Sequence, residues 1–120
     1  MRNEIKEFLG KVFTEISINE EKTEITFTTN DKQWLMYHEQ DCCETVYVDD
    51  IVGDLSDLIN NPMLIAEEIT NSNDSFGRNL DDYFTWTFYK FATRKGYVDI
   101  KWLGESNGYY SESVEIKKIK

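Results

Sequence analysis

The sequence predicts an α+β fold dominated by one strongly bent antiparallel sheet of six to eight strands with meander topology, and one or two short helices. Two observations support this prediction. Apolar and polar residues alternate in short runs, and turn signals separate these runs about every ten residues, which is typical of sequential antiparallel strands. The 120 residues, 40% hydrophobic and 14% aromatic, also suffice for the packed core of a single domain over residues 1–120.

The first third of the chain predicts a short helix followed by three strands. Residues 2–9 place Ile5, Phe8 and Leu9 on one helical side, and Gly10 is suited to end the helix. Alternation then replaces the helical spacing. The strands are expected within residues 12–18, 25–27 and 34–38, with turns at 19–22 and 30–31.

The middle of the chain predicts a fourth strand and a capped helical turn. Residues 44–48 alternate as a strand, and Gly53 interrupts it. Asp54 is placed to cap one or two helical turns over residues 54–59. Asp57 would then lie in the first turn, where a carboxylate interacts favourably with the helix dipole.

The remaining residues predict one more strand, a loop and a C-terminal meander. Residues 63–69 are interpreted as a strand, and the polar residues 71–82 as a loop. Asn107 and Gly108 form a strong type I′ turn signal. The three strands of the predicted meander cover residues 83–92, 97–103 and 110–116.

Negative charge is concentrated in the central residues 39–82, which hold twelve of the 23 acidic residues and a single base, Arg78. Charge that is segregated in this way attracts cationic partners and repels nucleic acid. We therefore expect binding to a protein with a basic surface, and no direct binding to nucleic acid or membrane. The expected contacts are Asp41, Glu44, Asp49, Asp50, Asp54 and Asp57, with Tyr109 and Tyr110 as apolar anchors.

A metal site is the alternative interpretation of the turn that contains His38, Asp41 and Cys42. The chain has one histidine and two cysteines, whereas zinc sites usually use two separated ligand pairs. Adjacent cysteines on a strand point to opposite faces, so we interpret Cys42 and Cys43 as reduced residues that fill the core. A metal-binding protein stays open as the second hypothesis, and no cofactor is predicted.

The sequence contains no recognisable catalytic motif. The sole histidine, His38, has no GxSxG-type nucleophile to serve, and no glycine-rich loop is present to hold a phosphate. We therefore expect a protein that is not an enzyme. No apolar run is long enough to span a membrane, and the first residues lack a signal-peptide core, so a cytoplasmic location is expected.

Six stretches of the sequence are long and unusual enough to compare with known families. They are YHEQDCCE at 37–44, DIVGDL at 50–55, AEE at 66–68, TWTFYKFAT at 85–93, KGYV at 95–98 and GESNGYYSESV at 104–114. Together they resemble a family of small uncharacterised acidic proteins that is common in bacteriophages and prophages. The resemblance covers about residues 10–116, and residues 1–9 depart from the family's commoner start.

This resemblance implies a phage or mobile-element origin. Small acidic phage proteins often act on host enzymes, and restriction and CRISPR nucleases carry basic channels that an acidic surface can occupy. The resemblance therefore favours an inhibitor or modulator of a host nucleic-acid enzyme. An accessory protein of virion structure or assembly is a further alternative.

Overall fold

The computed structural model of the chain describes residues 5–40, 43–73, 83–106 and 112–120. Within these residues, eight strands form two four-stranded sheets in which all neighbours are antiparallel. Sheet 1 has the order β1-β2-β3-β8, with β1 (Glu15–Ile18), β2 (Glu24–Thr28), β3 (Gln33–Tyr37) and β8 (Glu115–Lys118). Sheet 2 has the order β4-β7-β6-β5, with β4 (Thr45–Val52), β5 (Ile65–Asn73), β6 (Tyr83–Thr93) and β7 (Gly96–Ser106).

The mainly antiparallel character of the prediction is confirmed, but its layout is wrong. Two separate sheets replace the single strongly bent one. The predicted helix over residues 2–9 is, where the structure describes it, one 3-10 turn at Ile5–Phe8, and the helix over 54–59 is a 3-10 turn at Leu55–Leu58. Segments this short are not stable as α-helices on their own, so packing against the sheets determines their shape.

The predicted C-terminal meander is also wrong, because its last strand belongs to the other sheet. β8 pairs with β3, with Ile116 opposite Met36, and β7 pairs with β4 instead. Alternation shows which side of a strand is apolar but not which neighbouring strand it pairs with.

The strand predicted at 63–69 extends to Asn73, so it includes the start of the predicted loop. The rest of that loop and the Asn107–Gly108 turn lie outside the described residues.

Both sheets contribute to one hydrophobic core. Phe8 is fully buried at its centre. Its ring centroid lies 5.0 Å from that of Phe13, 4.9 Å from Phe27, 5.4 Å from Trp34 and 5.9 Å from Phe91. Phe27 and Trp34 belong to sheet 1 and Phe91 belongs to sheet 2. Through Phe8, the first 3-10 turn therefore packs against both sheets.

A β-bulge interrupts the pairing of β4 with β7 between Val48 and Asp50. Before the bulge, the buried Val48 lies opposite the buried Trp102; after it, Ile51 lies opposite Ile100 and again packs on the core. One extra residue is accommodated at the bulge. As a result the consecutive residues Asp49 and Asp50 are both exposed.

Candidate functional site

The outer faces of the two sheets differ in polarity. Directly opposite residues of an antiparallel pair share a face, so the strand registers define each surface. The outward positions of sheet 1 are mainly polar, apart from the half-buried Leu35 and Tyr37: Glu15, Ser17, Glu24, Thr26, Thr28, Gln33, Glu115 and Lys117. Three exposed large apolar residues lie within strands of the described chain, and all are on the outer face of sheet 2: Val52 (60% exposed), Ile69 (46%) and Tyr97 (74%).

Aromatic rings occupy the centre of this outer face. Leu103 of β7 lies opposite Tyr47 on one side and Trp86 on the other. Although it points outward, Leu103 is only 8% exposed, because side chains directly opposite on neighbouring strands lie about 5 Å apart and shield it. We call these apolar residues of sheet 2 the aromatic face: Tyr47, Val52, Ile69, Trp86, Phe88, Tyr97 and Leu103.

One cation lies over the middle of the aromatic face. Lys101 Nζ is 4.5 Å from the ring centroid of Trp86, within the range of a cation–π interaction. The same Nζ is 3.7 Å from Asp49 Oδ2. Lys101 therefore joins an aromatic ring of β6 to a carboxylate of β4.

Four acidic residues lie on β4 and in the segment Asp54–Leu58 that follows it, and we call them the acidic edge: Asp49, Asp50, Asp54 and Asp57. The ion pairs among the described residues are Lys32–Asp31, His38–Glu44 and Lys101–Asp49. Within the described chain, three of the four carboxylates of the acidic edge thus have no cation within ion-pair distance.

Asp54 is the predicted N-cap of the 3-10 turn Leu55–Leu58, and this role is confirmed. Its Oδ1 accepts hydrogen bonds from Ser56 N at 3.0 Å and Ser56 Oγ at 2.8 Å. These bonds, first the backbone one and then the hydroxyl one, lower the pKa of the Asp54 carboxyl. Asp57 is half-buried in the same turn, and its carbonyl accepts a 2.5 Å hydrogen bond from Thr93 Oγ1.

The electrostatics of the aromatic face are negative around Tyr47. Partial burial raises the pKa of the Tyr47 phenol, and the carboxylates of Glu105 and Asp49 raise it further. Each of these effects disfavours the phenolate. Glu105 and Asp49 therefore place negative charge near Tyr47 on this face.

Glu44 does not belong to this exposed surface. Its side chain is fully buried, and Glu44 Oε2 lies 2.6 Å from Nε2 of His38, whose own side chain is 5% exposed. The other ring nitrogen, His38 Nδ1, lies 2.7 Å from the carbonyl oxygen of Ser113, to which it donates. Both ring nitrogens therefore have protein partners in this arrangement.

Comparison with known proteins gives one match. Residues 6–116 match the model of a domain of unknown function, DUF7448. The chain belongs to this family. No curated protein and no solved structure matches it. The family description states no activity.

The described part of the DUF7448 chain contains no ligand cluster that would support the metal hypothesis. Among those residues, no group of three or more His, Cys, Asp or Glu side chains is placed to hold an ion. Asp41 and Cys42, the other two ligands of that hypothesis, lie outside the described residues, as do Tyr109 and Tyr110.

The interpretation of the cysteines as reduced core residues is corrected. Cys43 is disulfide-bonded and exposed, and the one other cysteine of the sequence, Cys42, lies outside the described residues. The expectation assumed that the two residues lie on a strand. Cys43 instead precedes β4, which begins at Thr45, so the alternation of strand side chains does not apply to it.

The acidic block of the sequence is divided between the two sides of sheet 2. The acidic edge lies along β4 and the turn that follows it, whereas Glu67 and Glu68 lie on β5 at the opposite side of the sheet. Three strand spacings of about 4.8 Å separate β4 from β5, which is about 14 Å. Glu67 is exposed on the outer face, while Glu68 faces inward and accepts a hydrogen bond from Tyr89 Oη at 2.6 Å.

The aromatic face is not among the sites predicted from the sequence, although the sequence contains a signal for it. In β6, Tyr89 and Phe91 belong to the buried side, and Trp86 and Phe88 belong to the other. An antiparallel strand with a solvated face usually alternates between apolar and polar residues. Large aromatic residues on both sides of a strand therefore indicate that the outer side of the sheet is covered by another part of the protein or binds a partner.

Within the described residues, no helix is both long and apolar enough to cross a membrane.

Proposed function

We propose that this DUF7448 protein is a non-enzymatic binding protein whose aromatic face and acidic edge bind another protein. The observation that supports this function is that Val52, Ile69 and Tyr97, the large apolar strand residues exposed in the described chain, all lie on the same outer face as Trp86. Apolar surface that is concentrated on one face in this way marks interaction sites. Tryptophan and tyrosine are also the side chains that contribute most to binding at such sites.

The charge around the aromatic face selects a partner with a basic surface. Asp50 is exposed on β4 within this face, whereas the exposed Glu67 of β5 lies directly opposite the exposed Lys90. A partner that carries cations on the side of β4 complements this arrangement. Opposite charges at the rim chiefly accelerate association and make it sensitive to salt, while the apolar centre provides most of the affinity.

The target class follows from the phage origin that the family resemblance implies. In that setting the protein is an inhibitor or modulator of a host nucleic-acid enzyme in the bacterial cytoplasm. Restriction and CRISPR nucleases are the first targets to test, because a basic nucleic-acid channel presents the complementary charge.

The experiment is affinity purification from a nuclease-treated bacterial lysate with matched variants. The double variant Ile69→Ser/Tyr97→Ser removes apolar groups from the aromatic face. Leu9→Ser/Ile119→Ser is the control, because both of its residues are 45% exposed but lie elsewhere. A specific partner is expected with wild type and the control, and is expected to be lost with the face variant.

A second comparison tests the charges. Asp49→Lys/Asp50→Lys is expected to weaken binding of the purified partner, more at low salt than at high salt. Glu24→Lys, an exposed position on the outer face of sheet 1, is the control. A partner that binds all variants equally would rule the proposed function out. Self-association in sedimentation without any partner would instead support a virion or assembly accessory.

A further inference from the structure

Trp86 is the accessible tryptophan of the chain. Trp34 is 2% exposed and Trp102 is fully buried, whereas Trp86 lies half-buried on the outer face of sheet 2. Its neighbours across the strands are Leu103 and Asn71. The ring of Trp86 is therefore the largest aromatic surface that a ligand can reach among the tryptophans.

The surroundings of Trp86 favour a cation. Lys101 Nζ already lies 4.5 Å from the ring centroid and 3.7 Å from Asp49 Oδ2. On the same outer face, the exposed residues Asp50 and Glu105 lie opposite Lys101 and opposite Phe84, respectively. An aromatic ring with carboxylates around it is the arrangement that binds ammonium and guanidinium groups.

We infer that Lys101 occupies, in the free protein, the position over Trp86 that an arginine side chain of the partner takes in the complex. This inference rests on the proposed function and specifies its partner: an extended, arginine-containing segment that lies on the aromatic face. On binding, the guanidinium stacks on Trp86 and hydrogen-bonds to Asp49, and Lys101 turns away into solvent. Lys101 thus competes with the arginine of the partner for the position over the Trp86 ring.

Replacement of the Lys101 ammonium group by a guanidinium over Trp86 is favoured for a physical reason. A guanidinium is planar, is less strongly hydrated than an ammonium group, and can stack on a ring while it donates two parallel hydrogen bonds to a carboxylate. Bases of single-stranded nucleic acid also stack on aromatic side chains. Here, however, Asp49, Asp50 and Glu105 would repel the phosphates, so the charge favours a cationic peptide.

The test uses a hexa-arginine peptide as probe and two lysine variants that change the net charge equally. Lys101→Met exposes Trp86. Lys117→Met is the matched control, because Lys117 Nζ lies 5.1 Å from the ring centroid of Tyr37 on the outer face of sheet 1. Affinity is measured by calorimetry, and quenching of tryptophan fluorescence reports on Trp86. A hexa-citrulline peptide and a thymidine octamer serve as neutral and anionic probes.

We expect Lys101→Met to bind hexa-arginine about fivefold more tightly than Lys117→Met does, which is the scale of one cation–π interaction at a partly exposed site. Fluorescence quenching should saturate with hexa-arginine and be absent with hexa-citrulline. Equal affinities of the two lysine variants would overturn the inference, as would tighter binding of the thymidine octamer than of hexa-arginine.

Failure of the inference about Lys101 is distinguishable from failure of the proposed function. If a purified partner depends on Ile69 and Tyr97 but the two lysine variants bind hexa-arginine equally, the aromatic face binds a protein and Lys101 does not compete with it. If no partner depends on Ile69 and Tyr97, the proposed function is wrong whatever the peptide shows.

Discussion

His38 and Glu44 form a buried pair in which Nε2 of the imidazole lies 2.6 Å from Oε2 of the carboxylate. His38 follows β3 of sheet 1, and Glu44 precedes β4 of sheet 2. The imidazole Nδ1 also donates to the carbonyl oxygen of Ser113, which precedes β8. One histidine thus connects three chain segments at one end of the two sheets.

Replacing Glu44 with alanine should lower the free energy of unfolding by about 3 kcal/mol, because it leaves the buried His38 without its carboxylate partner. Urea unfolding followed by circular dichroism measures the change. Glu39→Ala is the control: Glu39 is exposed and accepts one 3.3 Å hydrogen bond from Tyr37 Oη. Equal losses in the two variants would show that the His38–Glu44 pair makes no particular contribution.

Replacing Gly53 with alanine should destabilise the protein more than replacing Gly10. Both glycines have positive φ, +108° and +80°, and an L-residue there costs about 1–2 kcal/mol. At Gly53 an added Cβ would also lie 2.5 Å from the carbonyl oxygen of Tyr97, whereas at Gly10 it would meet nothing within 4 Å. Thermal unfolding of the two variants tests this difference, and similar midpoints would contradict it.

The contribution of the Asp54 cap should depend on pH in the acidic range. Hydrogen bonds from Ser56 lower the pKa of Asp54 in the folded state. The carboxylate therefore stabilises the fold above its ordinary pKa, and this contribution is lost as the pH falls through the lower folded value. Asp54→Ala should reduce the urea midpoint at neutral pH and lose this effect at strongly acidic pH. A pH-independent difference between wild type and variant would argue against the cap.

The titration of Tyr47 should report the negative field of the aromatic face. Burial, and then Glu105 and Asp49, raise its pKa in the fold. The neutral phenol therefore contributes stability that is present below the ordinary tyrosine pKa and is lost as the pH rises through the folded value. Glu105→Gln should lower the Tyr47 pKa, as measured by NMR of its ring carbon. Glu115→Gln, whose carboxylate acts on Tyr37 instead, should leave Tyr47 unchanged.

Local sequence information predicted most strands but not their arrangement. Alternation located β2, β3, β6 and β7 within a few residues, and the cap at Asp54 was recognised from its residue type and position. The partner of β8 was not predictable in this way, because pairing with β3 brings together residues 34 and 118 of the sequence. Such long-range pairing depends on the whole core, which includes the contacts of Phe8 with both sheets.

Only part of the candidate site was predicted, because the rest also depends on long-range strand pairing. The acids at Asp49 and Asp50 were identified from charge alone, and the bulge that exposes both was not visible in the sequence. Glu44 belongs to the same acidic block, yet its pairing with His38 places it inside. The aromatic face depends on strand register, because only the pairing of β4, β7 and β6 brings Tyr47, Leu103 and Trp86 side by side.

The crossing of β8 to β3 has a consequence for biosynthesis. All four strands of sheet 2 lie between β3 and β8 in the sequence, so a ribosome makes them before sheet 1 can be completed. Until then the nascent chain carries β3 with one unpaired side, the kind of edge that recruits other chains. Translation that stops within β7 would therefore release an aggregation-prone product in which sheet 1 lacks β8.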